Sequence, residues 1–160
     1  RTGRPAHERH TMTAGSRSPA SNQRQLLDAN ITLVFDGGSL GNPGKGYGSF
    51  IVQGLIETPQ PVRLEFSGRR TNNEAEYMTL IEGLRQIAAR AEADGHRLNA
   101  IMIRVYSDSK LVVEQVSGRW KVKSEGLRPL HAETRLLLSR FGSWELSWHP
   151  RAESVRRLGH

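Results

Sequence analysis

The sequence predicts an α/β fold, a mixed β-sheet with helices, in the order βββαβααβ. Three observations predict it. Residues 31–66 hold three short apolar runs of β-type composition joined by turn-rich links, the pattern of an antiparallel meander. Residues 71–93 change to helical period, with Tyr77, Leu80, Ile81, Leu84, Ile87 and Ala88 on one stripe. A strand, two helices and a last strand follow, which permits a crossover that lays strands side by side.

The elements are justified in chain order. Residues 1–30 are poor in apolar side chains and rich in Arg, Ser, Pro, Thr and Gln. Five arginines face only Glu8 and Asp28 there. Such a segment buries too little apolar surface to offset its ordering entropy, so it is expected to be a disordered basic tail preceding a domain over 31–160. ITLVFD (31–36) reads as a strand, and GGSLGNPGKG (37–46) as turn chemistry throughout. YGSFIVQ (47–53) and PVRLEF (61–66) are the second and third strands. Thr71 followed by Glu74 forms a capping box that starts the long helix. NAIMIRVYS (99–107) is the fourth strand. Helices are expected at roughly 109–116 and 126–140, stopped by Gly118 and Gly142, and WELSWH (144–149) is the last strand.

Composition narrows the function. The 160 residues carry no cysteine, which excludes a disulfide framework, thiolate metal sites and a thiol nucleophile, and fits a reducing, cytoplasmic setting. No run approaches the length of a membrane span. The formal charge of +7 favours a polyanionic partner.

The chemistry is sought in acidic residues set inside apolar elements. Asp36 closes the first strand and Asp108 follows the fourth. On neighbouring strands, both carboxylates reach the same end of the sheet. Two carboxylates that close repel unless one is protonated or a cation sits between them. With Mg²⁺ as that cation, the site has the oxygen-ligand character used for phosphoryl transfer. Structural roles compete: Asp36 as a turn residue, and Asp108 as the N-cap of the next helix. Glu74 is occupied by the capping box. Glu76, where the apolar stripe meets Asn72 and Asn73, is the better third ligand, with solvent exposure as the alternative. The glycine loop fails as a P-loop, because no Gly stands at the required offset before Gly44–Lys45 and Gly46 follows the Lys.

Three segments, DGGSLGNPGKGYGSF (36–50), TNNEAEY (71–77) and YSDS (106–109), together resemble ribonuclease HI and its relatives in order, spacing and element. The resemblance spans roughly 31–150. It implies a five-stranded mixed sheet with helices on its faces, the first three strands antiparallel. It implies that Asp36, Glu76 and Asp108 match three of four metal-binding carboxylates. Two Mg²⁺ ions are implied, with Mn²⁺ able to substitute. Asn42, Asn72 and Asn73 fall where the family contacts ribose 2′-hydroxyls and bases, and GRRT (68–71) resembles the phosphate pocket for the DNA strand, with Arg69 and Thr71 at the matching positions. The segment RWKVK (119–123) either tracks a phosphate backbone or presents a solvated charged face with Trp120 packed inward. It leaves little room for the basic helical protrusion of longer members, so the chain resembles the compact ones.

The departure from the family pattern is at WHPRAESVRRLGH (148–160). The fourth carboxylate falls at Leu158 against compact relatives and beyond His160 against longer ones, so the last helix is expected to be missing or cut short. His149 and His160 compete for the family's mobile histidine. The expected function is a two-metal endonuclease that hydrolyses the RNA strand of RNA–DNA hybrids as a monomer without a membrane partner. The alternatives are a hybrid-binding module with an incomplete carboxylate set, or another nuclease or strand transferase on the same fold.

Overall fold

The structure is a computed structural model and describes residues 30–159. The expected basic tail lies outside the described residues, apart from Asn30. The elements are β1 (Asn30–Leu40), β2 (Gly44–Gly54), β3 (Val62–Arg70), α1 (Asn72–Ala93), a short 3-10 turn (Leu98–Ala100), β4 (Met102–Ser107), α2 (Lys110–Val116), α3 (Arg128–Leu138), β5 (Ser143–Trp148) and α4 (Arg151–Leu158). The sheet order is β3-β2-β1-β4-β5. β2 pairs antiparallel with β1 and β3, while β4 runs parallel to β1 and β5 parallel to β4. This is the five-stranded mixed sheet expected from the sequence. β1 is central, and its run Ile31, Leu33, Val34, Phe35 is buried, as a strand covered on both faces requires.

The first hairpin differs from its sequence reading. The glycine-rich segment is not turn throughout. Strand pairing continues through Leu40↔Lys45, and only residues 41–43 turn. Gly41, with φ 87°, and Gly44 serve that turn, whereas Gly37 and Gly48 serve helix–sheet contact. A Cβ on Gly48 would lie 1.8 Å from Thr79 Oγ1 of α1, and one on Gly37 would lie 2.7 Å from the Ala75 carbonyl oxygen. Their absence lets α1 lie directly against the ends of β1 and β2.

α1 begins with the expected capping box. Thr71 Oγ1 accepts from the Glu74 N–H at 3.1 Å, and Glu74 Oε1 accepts from the Thr71 N–H at 2.8 Å. All six residues of its predicted stripe are buried, and all but Ile81 pack with Leu33, Phe35, Phe50, Val52, Ile103 and Val105 in one core that also takes in Val112, Val113 and Val116 of α2 and Leu138 of α3. Truncating a side chain as enclosed as Leu84 to Ala costs about 2–5 kcal/mol.

A helix also follows β5, which the apolar pattern of this segment did not reveal. α4 starts after Pro150 and ends at Gly159 with φ 73°. It lies against β1 and β2, with Leu158 fully buried and its carbonyl accepting from Arg63 at 3.4 Å. Among the described residues a helix therefore does follow β5, where the sequence left a last helix missing or cut short. Its apolar residues are so few that helical period is weak; the sheet face it covers supplies the drive.

Candidate active site

Three carboxylates meet at one end of the sheet. Val34 pairs with Tyr106 across the parallel β1–β4 ladder. Asp36 and Asp108 each lie two residues further, so they share a side and an end of neighbouring strands. Glu76 comes from the second turn of α1, brought in by the same close approach at Gly37, where a Cβ would lie 2.9 Å from Glu76 Cα. One oxygen from each of Asp36, Glu76 and Asp108 lies within 4.8 Å of the others. The competing role for Asp108 fails, because Ser109 is the N-cap of α2 and accepts from the Val112 N–H at 3.3 Å. Asp36 Oδ1 does accept locally from the Gly37 N–H at 3.0 Å, while Oδ2 faces the cluster.

The electrostatics follow from this crowding. The Glu76 carboxyl is pushed up to about 7, chiefly because burial strips it of water; the charges of Asp36 and Asp108 push the same way. The Ser109 hydroxyl, donating to Glu76 Oε1 at 2.9 Å, and the charge of Arg151 oppose the rise. The first residue of α4 supplies that charge. Arg151 Nη1 donates to Asp36 Oδ2 at 2.6 Å and to Asp108 Oδ2 at 3.1 Å. Three hard oxygen donors, short of positive charge and already drawing in a guanidinium, suit a divalent cation.

Next to the carboxylates, the β1–β2 turn is tied to the start of α1. Asn42 Oδ1 accepts from the Asn72 N–H at 3.0 Å, and Asn72 Oδ1 accepts from the Ser39 N–H at 2.9 Å. Asn42, Thr71, Asn72 and Asn73 line a cleft of about 440 Å³ that Ser124 and Leu127 close. Arg69 donates to the Pro43 carbonyl at 3.1 Å from the neighbouring strand, so all five predicted substrate-contact residues sit on this one edge. The cleft shares Asn73, Ser124 and Leu127 with a hollow of about 620 Å³ lined by Arg119, Trp120, Lys121 and Lys123. Trp120 is 46% exposed, so it is not packed inward as the solvated-face alternative for this segment requires.

Comparison with known proteins agrees with this geometry. Residues 62–155 match the family described as reverse transcriptase-like. The chain is 42% identical over 126 residues to the bifunctional protein Rv2228c of Mycobacterium tuberculosis, covering 78% of this chain and 32% of that protein. The N-terminal RNase H domain of Rv2228c, solved as a fusion with maltose-binding protein, superposes with a TM-score of 0.67 at 37% identity, covering 81% of this chain and 88% of that one. Ribonuclease HI of Halobacterium salinarum is 33% identical over 135 residues, covering 79% of this chain and 59% of that protein. The chain belongs to the ribonuclease H family. A further ribonuclease H, LC11-RNase H1, has been solved in complex with an RNA/DNA hybrid and superposes with a TM-score of 0.68 at 27% identity, covering 79% of this chain and 90% of that one. This chain spans about a third of the length of Rv2228c.

The ribonuclease H family uses divalent metal ions, and this member carries a cluster of three carboxylates. Between α2 and α3 only residues 117–127 intervene, without a helix, as in a ribonuclease H of compact form. His149 does not sit as a mobile histidine would. It is buried, its ring stacks on Tyr106 at 6.0 Å, and Nε2 meets Ser154 Oγ at 2.8 Å. Burial holds its pKa below the usual value. His160 lies outside the described residues. Leu158, where the compact alignment places a carboxylate, is fully enclosed under the sheet. Sequence reasoning missed two residues of this site, Arg151 and Ser109. Ser109 was legible as an N-cap in SDSK, but its bond to Glu76 spans 33 residues. Arg151 had no signal in spacing, being one Arg among several in the last segment.

Proposed function

We propose that this chain is an endonuclease that hydrolyses the RNA strand of RNA–DNA hybrids, with Asp36, Glu76 and Asp108 holding divalent ions, Mg²⁺ in the first place and Mn²⁺ as a substitute. The observation that carries this reading is the meeting of three carboxylates from three separate elements beside an amide-lined cleft. Bound divalent ions would supply the positive charge that activates water and stabilises the leaving 3′-oxygen, giving 5′-phosphate and 3′-hydroxyl ends. The protein's own groups supply placement. Asn42, Asn72 and Asn73 offer amide donors and acceptors suited to 2′-hydroxyls and base edges, the feature that separates RNA from DNA. Arg69 and Thr71 stand at the edge of the same cleft, where a phosphate of the DNA strand would pass. Trp120, Lys121 and Lys123 extend the track with a stacking face and positive charge. The protein would act as a cytoplasmic monomer.

The test is a hybrid labelled on the RNA strand, incubated with Mg²⁺, with Mn²⁺ and with EDTA, beside duplex DNA, duplex RNA and single strands. Metal-dependent cutting of RNA in the hybrid alone is expected, and Asp36→Asn should abolish it while hybrid binding persists. One observation favours a second reading. Among the described residues the cluster holds three carboxylates, and Leu158 is buried under the sheet. Hybrid binding without cleavage in either metal would establish the binding-module reading instead.

A further inference from the structure

Arg151 has a position that the proposed reaction does not use. It opens α4, whereas Glu76's partner Ser109 caps α2. A single nitrogen, Nη1, is shared by Asp36 Oδ2 at 2.6 Å and Asp108 Oδ2 at 3.1 Å. Asp36 lies in β1 and Asp108 just past the end of the neighbouring parallel strand β4, so one guanidinium offsets the repulsion between two carboxylates that the sheet brings together. The two partners are almost enclosed, with side chains 7% and 10% exposed, whereas the Arg151 side chain is 63% exposed. The cation is therefore the mobile member of the trio. It can leave for solvent by rotating its own side chain, without repacking the core.

We propose that Arg151 is an exchangeable internal counter-ion that sets the affinity of the carboxylate cluster for divalent cations. The proposal rests on the reading of Asp36, Glu76 and Asp108 as a metal site. A divalent ion and the guanidinium draw on the same two Oδ2 atoms, and two cations that close repel. Loading a divalent ion therefore requires Arg151 to give up both ion pairs. In exchange, Arg151 keeps the cluster compact when divalent ions are scarce. A helix-borne arginine here thus tunes the concentration at which the site fills, a property that the carboxylates alone do not fix.

The experiment uses Mn²⁺ and Mg²⁺ alone, without nucleic acid, titrated calorimetrically into wild type, Arg151→Gln, Arg151→Lys and Asp36→Asn. Thermal melts of each are run in EDTA and in saturating Mn²⁺. Arg151→Gln removes the charge and keeps a polar side chain at the start of α4, so folding is preserved. It is expected to bind Mn²⁺ roughly two- to fivefold more tightly than wild type, the scale of partly exposed ion pairs. It should also melt lower than wild type in EDTA and gain more from Mn²⁺. Arg151→Lys should fall between. Equal or weaker Mn²⁺ binding by Arg151→Gln, with wild type binding normally, overturns the inference and leaves the metal site intact. Absence of Mn²⁺ binding in both wild type and Arg151→Gln overturns the metal-site reading and the inference with it. Unchanged binding in Asp36→Asn does the same.

Discussion

Replacing Glu76 by Gln should stabilise the metal-free protein above neutral pH while eliminating cleavage. The folded carboxyl titrates at about 7, against an ordinary value of 4.5. Between those values the folded state holds a proton that the unfolded chain has released. Stability therefore falls as pH rises from 4.5 to 7 and is flat beyond. At 1.36 kcal/mol per unit, the full difference is about 3 kcal/mol. Partial exposure and the coupling to Asp36, Asp108 and Arg151 reduce the observable part to about 1–3 kcal/mol. Gln keeps the oxygen that accepts from Ser109 and carries no charge, so this penalty disappears. The assay is urea unfolding in EDTA at pH 5 and pH 8. Wild type should lose stability between the two relative to Glu76→Gln, and the variants should converge at pH 5. Saturating Mn²⁺ should reverse the order at pH 8, because only the carboxylate gains a ligand. A Glu76→Gln protein no more stable than wild type at pH 8 in EDTA would refute the argument that burial and crowding charge this site unfavourably.

Three other outcomes follow from the geometry. Glu74→Gln should change stability by less than about 0.5 kcal/mol and leave cleavage intact, while Glu74→Ala should cost about 1 kcal/mol, since only Ala breaks the capping box; denaturant melts and a hybrid-cleavage assay separate the two. Gly48→Ala should cost about 2 kcal/mol or more, and Thr79→Ala in the same chain should recover only part of it, because the new Cβ meets Thr79 Oγ1 at 1.8 Å but also Thr79 Cβ, which Ala keeps, at 2.9 Å. Gln115→Leu should raise KM for the hybrid more than it lowers kcat. The buried Gln115 amide accepts from Tyr77 Oη at 2.8 Å and donates to the Lys121 carbonyl at 3.3 Å, so its loss frees the segment that carries Trp120 and leaves the Tyr77 hydroxyl unpaired at about 1–3 kcal/mol. An equal fall in kcat with KM unchanged would contradict that role.

Local chemistry made much of this protein legible in advance. The β-branched run 31–35, the helical stripe from Tyr77 to Ala88 and the Thr71–Glu74 box act over a few residues, and each formed as read. Asp36, Glu76 and Asp108 stood out because carboxylates at the edges of apolar elements need a partner, and the fold brings them within 4.8 Å. Other features were decided only by tertiary structure. The glycines of 37–48 look like turn chemistry in one dimension. The use of Gly37 and Gly48, admitting α1 against the sheet, depends on a helix more than twenty residues away. α4 has too few apolar residues to announce itself, and folds because Leu158 and Ser154 find a sheet face to cover. The cation beside the carboxylates could not be chosen from sequence either. Any of several arginines in the last segment carries the same charge. The direction in which β5 delivers the chain places Arg151 against both Asp36 and Asp108, because electrostatic attraction falls with distance in space and takes no account of separation along the chain.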